Sequence, residues 1–133
     1  MNYLFILFIS FTFVSCIEEN TLIKEVEPPL TFCDCNELIL DTDYQRFYLS
    51  DKKKPFTGNC ITLAPDGKKV FERNYMNGKY DGLVITFYKN GQQKTSTEYK
   101  KNLITGAQKI YNSDGILISH SIYLRSKLKE RIK

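Results

Sequence analysis

Three consecutive segments of 24 residues, beginning at Phe56, Tyr80 and Ile104, carry the same punctuation. Each has Gly as its third residue: Gly58, Gly82 and Gly106. Each has an acidic or amide residue followed by Gly near its middle: Asp66-Gly67, Asn90-Gly91 and Asp114-Gly115. Each has Tyr at its twentieth position: Tyr75, Tyr99 and Tyr123. A fixed period of this length is the signature of a repeat array. Such a unit cannot bury an apolar face by itself. It stacks on its neighbours and presents an extended surface rather than a deep pocket.

Within each copy, β-prone runs flank the central Gly. In the second copy these are Leu83 to Tyr88 and Lys94 to Tyr99. Asn90-Gly91 between them predicts a hairpin with a type I′ turn, in which both central residues take positive φ. Asp66-Gly67 and Asp114-Gly115 predict the same. A second turn must join successive copies; Asn77-Gly78 marks the first of these, and Asn102-Leu103 stands at the second. The predicted fold is all-β: an antiparallel meander of repeated hairpins forming a single-layer twisted sheet. The early Gly of each copy predicts a bulge or a close backbone approach. The recurring Tyr predicts a cross-strand ladder that packs, with an aromatic ligand-binding stripe as the competing reading. Asp66, Asp81 and Asp114 read as turn residues.

With these residues in place, the array resembles the bacterial MORN-repeat variant family, whose members are often labelled YwqK-type antitoxins. Tyr75-Met-Asn-Gly-Lys-Tyr-Asp-Gly82 and Phe87-Tyr-Lys-Asn-Gly91 are similar to that family's core pattern, YxNGxxxG followed by YYxNG. Lys54-Pro-Phe-Thr-Gly58 resembles the segment that precedes its first repeat. The likeness runs from Pro55 to Tyr123. It implies a β-meander with a scaffold or interaction role. The third copy departs from the pattern at Ser113-Asp114-Gly115, as a terminal copy would. The antitoxin label implies a second function, neutralisation of a toxin by direct binding. No residue here carries that activity by itself.

The other end of the chain sets the expected address. The apolar run Tyr3 to Val14 is short for a bilayer-spanning helix and suits the h-region of a signal peptide. It ends in Phe13-Val14-Ser15-Cys16, which resembles a bacterial lipobox, with Cys16 as the lipidated residue. Phe13 stands where Leu is usual, and no Lys or Arg precedes the run. An ordinary signal peptide or a hydrophobic anchor is the plainer alternative. Ile17-Glu18-Glu19 behind the Cys resembles the export signal of surface lipoproteins in the Bacteroidetes group. The expected place is the cell envelope, lipid-anchored at the outer membrane on its surface or periplasmic side. The partners expected are the membrane, through that lipid, and a protein of unknown identity.

Charge divides the chain: residues 17 to 43 hold eight Asp or Glu against one Lys, while residues 44 to 133 hold eighteen Lys or Arg against seven acids. Opposed halves can attract each other or serve different partners. The organisation read from this is a signal peptide over 1–16 and an acidic tether over 17–31. Leading strands follow over 32–55, three repeats over 56–127 and a basic tail over 128–133. Leu124, Leu128 and Ile132 fall at helical spacing and predict a short capping helix. The basic array suits anionic lipid head groups or an acidic protein, or simply solubility. An exported chain makes nucleic acid a poor partner.

Four Cys are present. With Cys16 lipidated, export to an oxidising compartment permits a disulfide. Cys33 and Cys35 are too close to join each other, leaving Cys35–Cys60 or Cys33–Cys60. Cys33, Cys35, Cys60 and His120 have zinc-ligand types but no common zinc spacing. His120, the single histidine, reads as a strand surface residue. No nucleophile elbow, phosphate loop or paired-carboxylate pattern occurs. The expectation is a non-enzymatic protein without cofactor or metal.

Overall fold

The computed structural model describes residues 31–51 and 53–133. Cys16, the lipobox and the acidic stretch behind it lie outside these residues. The order is β1 (Thr31–Asp34), a 3-10 turn (Cys35–Glu37), β2 (Ile39–Asp41), β3 (Arg46–Tyr48), β4 (Gly58–Leu63) and β5 (Lys69–Met76). Then follow β6 (Lys79–Phe87), β7 (Gln93–Lys100), β8 (Leu103–Tyr111), β9 (Leu117–Leu124) and β10 (Lys127–Arg131). Strands β4 to β10 pair in sequence order as an antiparallel meander, and β1 adds to β4 at one edge. The sheet stays open rather than closing into a barrel.

Each repeat is one hairpin, but the two kinds of turn trade roles relative to the sequence expectation. In the middle of each copy only the Gly takes positive φ: Gly67, Gly91 and Gly115. The loops are three residues long, closed by Ala64 N–H to Lys68 O, Tyr88 N–H to Gln92 O and Asn112 N–H to Ile116 O. A left-handed Gly is what that loop requires, so the residue before it stays on the ordinary side of φ. The type I′ geometry instead occupies the joints between copies. Asn77 and Gly78, Lys101 and Asn102, and Arg125 and Ser126 all have positive φ. The second joint is therefore Lys101-Asn102, and Leu103 begins β8. Each joint is tied back to the start of its own copy, where Gly78, Asn102 and Ser126 donate their N–H to Phe56, Tyr80 and Ile104 carbonyls.

The early Gly marks a bulge. Arg73 pairs with Val84 and Tyr75 with Tyr80, so β6 carries extra residues around Gly82 opposite Asn74. The same slip recurs between β7 and β8 around Gly106, opposite Glu98. The residue opposite each bulge repairs its ladder: Asn74 Nδ2 donates to Leu83 O at 2.9 Å, and Glu98 Oε2 accepts from Ala107 N–H at 3.1 Å. Asp81 lies within β6 rather than in a turn. Its carboxylate takes Lys100 Nζ at 2.9 Å and the Lys101 N–H at 3.3 Å, holding the joint that follows.

The leading segment makes one end two-layered. Strands β2 and β3 form a hairpin, and Phe47, Leu38 and Leu49 pack on a small core of Cys35, Phe56, Cys60 and Tyr75. Phe47 bridges the layers through its backbone, donating to Gly78 O at 2.8 Å and accepting from Phe56 N–H at 2.9 Å. The strand β1 overlaps the leading strands expected over 32–55, but its parallel pairing, which aligns Cys33 with Cys60, has no counterpart in the sequence reading. At the other end, the expected helix over Leu124, Leu128 and Ile132 is absent. Arg125-Ser126 turns the chain, and β10 pairs antiparallel with β9. The unpaired edge of β9 needs backbone partners, and that demand overrides a short apolar stripe.

Candidate functional site

The recurring Tyr residues form a packed row. Phe56 and Tyr75 rings lie 5.7 Å apart, Tyr75 and Tyr80 4.9 Å, and Tyr80 and Tyr99 5.5 Å. Phe47 closes over Tyr75 at 5.0 Å and Tyr80 at 5.5 Å. Tyr75 is only 3% exposed, so this end of the row is core and no ligand reaches it. Burial pushes the Tyr75 hydroxyl's pKa upward, and burial with Tyr80 beside it raises that of Tyr99. In the third copy Ile104 takes the place held by Phe56 and Tyr80, and pairs with Tyr99. Tyr123 stands half-buried on β9 opposite Gly106.

The cysteines form a second constellation. Cys35 and Cys60 are disulfide-bonded with Cα atoms 5.0 Å apart. Cys33 is free and half-buried. Burial, then Glu37 and Asp34 nearby, push its thiol up to about 11, which leaves little thiolate near neutral pH. The disulfide consumes two members of the four-residue zinc set. Among the described residues no group of three His, Cys, Asp or Glu is placed to hold a metal ion. His120 sits on β9 opposite Lys109. Its Nε2 is buried and makes no hydrogen bond within the described residues.

The third constellation, along the mid-copy turns, was not singled out from sequence. Between the second and third copies the turns are stitched together. Tyr88 Oη donates to Tyr111 O at 2.9 Å, and Asn90 Nδ2 donates to Ser113 O at 2.7 Å. Between the first and second copies the corresponding places hold Ala64 and Asp66. Ala64 has no hydroxyl. The Asp66 carboxyl accepts the Lys68 N–H, which lowers its pKa, and a carboxylate accepts but cannot donate. An open groove of about 610 Å³ remains there, floored by Pro65, Val70 and Phe87 and rimmed by Lys68, Lys69 and Lys89. Lys69 Nζ lies 5.9 Å from the centre of the Phe87 ring, and Lys94 Nζ 5.6 Å from that of Tyr88. The signal that finds it is the difference between aligned copies rather than any motif.

Large apolar side chains stand in solvent across the sheet, among them Phe32, Leu63, Ile116, Ile118, Leu124 and Ile132, each at least half exposed. No helix among the described residues is long and apolar enough to cross a membrane. No family model, no curated protein and no solved structure matches the chain.

Proposed function

We propose that this chain is a non-enzymatic, membrane-anchored lipoprotein of the MORN-repeat variant type, whose β-repeat domain is a scaffold for binding a protein or another component of the envelope. One observation carries the binding role. The sheet is open, its core is confined to one end, and large apolar side chains stand exposed along its length. Where such side chains join into a contiguous patch they mark an interaction site. The anchoring role rests on the apolar run ending at Cys16 and the acidic stretch after it. Several acyl chains on one Cys would hold a domain of this size firmly, at ~0.8 kcal/mol per buried methylene.

The test is the mass of the N-terminal peptide of full-length protein extracted from the membranes of a Gram-negative host. A diacylated or triacylated Cys16, with loss of membrane fractionation in Cys16→Ala, is the expected result. An unmodified N-terminus would sink the anchoring, and would favour a secreted protein or a toxin-neutralising one.

A further inference from the structure

We propose that the groove between the first and second mid-copy turns binds an acidic peptide segment, seating an apolar side chain against Phe87 and carboxylates against the surrounding lysines. This rests on the scaffold reading and names the chemistry of its partner.

The repeat supplies an internal control. Three copies place the same fold positions side by side, so the second junction shows what the first would be with different side chains. At the second junction Tyr88 and Asn90 span the gap. At the first, Ala64 and Asp66 leave it open. Charge is arranged differently at the two. The places held by Lys68, Lys69 and Lys89 at the first junction are held by Gln92, Gln93 and Ser113 at the second, where Lys89 and Lys94 stand instead in the places of Pro65 and Val70. What sets the first junction apart is the open gap with lysines on both of its turns.

Lys68, Lys69 and Lys89 line the groove together with the carboxylate of Asp66, and Glu72 lies against Lys69. Lys68 meets Asp66 at 3.4 Å and Lys69 meets Glu72 at 3.0 Å. Lys89 makes no ion pair among the described residues. Exposed pairs of this kind contribute little, so exchanging an internal carboxylate for a partner's costs little. Three lysines against one carboxylate leave the lining net positive, and a cleft of one net sign over apolar walls concentrates the opposite charge. The volume lies within the range of side-chain and small-ligand sites. A planar anionic surface would reach the lysine tips and leave Phe87 unused. A peptide side chain flanked by carboxylates uses both.

The experiment is a fluorescence-anisotropy titration of the detergent-solubilised full chain with a labelled Glu-Glu-Phe-Glu-Glu peptide. Controls replace Phe by Ser or every Glu by Lys. Binding is expected for the first peptide and for neither control. Ala64→Tyr, which installs the side chain the second copy already has, is expected to weaken binding about tenfold, as is Lys89→Glu. Both positions lie in an exposed turn region, and an unchanged urea midpoint identifies a folded variant. No binding, equal binding of the Ser peptide, or indifference to both substitutions would overturn the proposal. So would capture by phosphatidylglycerol vesicles that Ala64→Tyr leaves intact, since that would make the site a charged membrane contact. Any of these leaves the Cys16 acylation test untouched, so the groove and the anchored scaffold fail separately.

Discussion

Gly82 and Tyr99 stand directly opposite one another across β6 and β7. The same pairing recurs as Gly58 with Tyr75 and Gly106 with Tyr123. The third and twentieth residues of each copy are thus one unit. At Gly82 and Gly106 the Gly lets the strand bulge, at Gly58 it lets β1 approach closely, and in each copy the Tyr sits across from the side that has no side chain. An aromatic residue facing a strand Gly restores packing that the Gly removes.

Gly82 has φ of +101°, and a Cβ there would lie 3.2 Å from Asn74 Cβ. Gly82→Ala should therefore cost about 1–3 kcal/mol through backbone strain, read as a lower urea midpoint with an unchanged slope. An unaltered midpoint would show that the bulge tolerates a side chain and that the Gly has another purpose.

Tyr75 is buried, yet its hydroxyl has no hydrogen-bond partner within the described residues. Tyr75→Phe should be neutral or stabilising by up to about 1–2 kcal/mol, because a buried unsatisfied group is removed. Tyr75→Ala should cost about 3–5 kcal/mol through the cavity it leaves. Chemical denaturation of both variants separates the ring from its hydroxyl; a large loss in the Phe variant would contradict this.

The bond between Cys35 and Cys60 closes a loop with a sequence separation of 25. Reduction, or Cys35→Ser with Cys60→Ser, should lower stability by about 3 kcal/mol on the loop-entropy account. The effect should appear in urea unfolding with and without dithiothreitol. Coincident curves would mean that the bridge does not form.

The Cys33 thiol, raised from 9.0 to about 11 in the folded chain, predicts a shifted alkylation profile. With iodoacetamide, the native rate should climb until near pH 11, while the urea-unfolded chain levels near 9. A raised thiol pKa means that the unfolded chain ionises first. This contribution to stability is whole below pH 9.0 and is lost as pH rises towards about 11. Cys33→Ser should remove that part of the slope. A native profile levelling near 9 would refute the shift.

Lys101 holds φ of 52° at a type I′ joint, where Asn or Gly is preferred. Its side chain is exposed. Lys101→Asn should stabilise by about 0.5–1 kcal/mol, since long side chains resist the left-handed region. Thermal melting of the single variant tests it, and no gain would place the strain elsewhere.

The meander was legible because a period repeats local chemistry, and three Gly-containing turns reinforce one another. The location of type I′ geometry was not. Lys101 and Arg125 have no turn signature and are forced into positive φ by the strands on either side. The parallel pairing of β1 was invisible for another reason: Thr31 opposite Gly58 is long-range, and no local pattern encodes it. The C-terminal residues carried a helical spacing that lost to the pairing demand of β9. At the groove, every residue was in view. Its shape emerged only when Ala64 was set beside Tyr88 in the frame that the fold supplies.

The short parallel strand and the disulfide also define a mechanical path. Tension entering at Thr31 meets only the four residues of β1 before reaching Cys35. There a covalent bond hands it to Cys60, inside β4. The segment between the two cysteines, with its β2–β3 hairpin, is thereby bypassed. A load from the N-terminal side enters the meander inside β4 and leaves that leading segment folded against it.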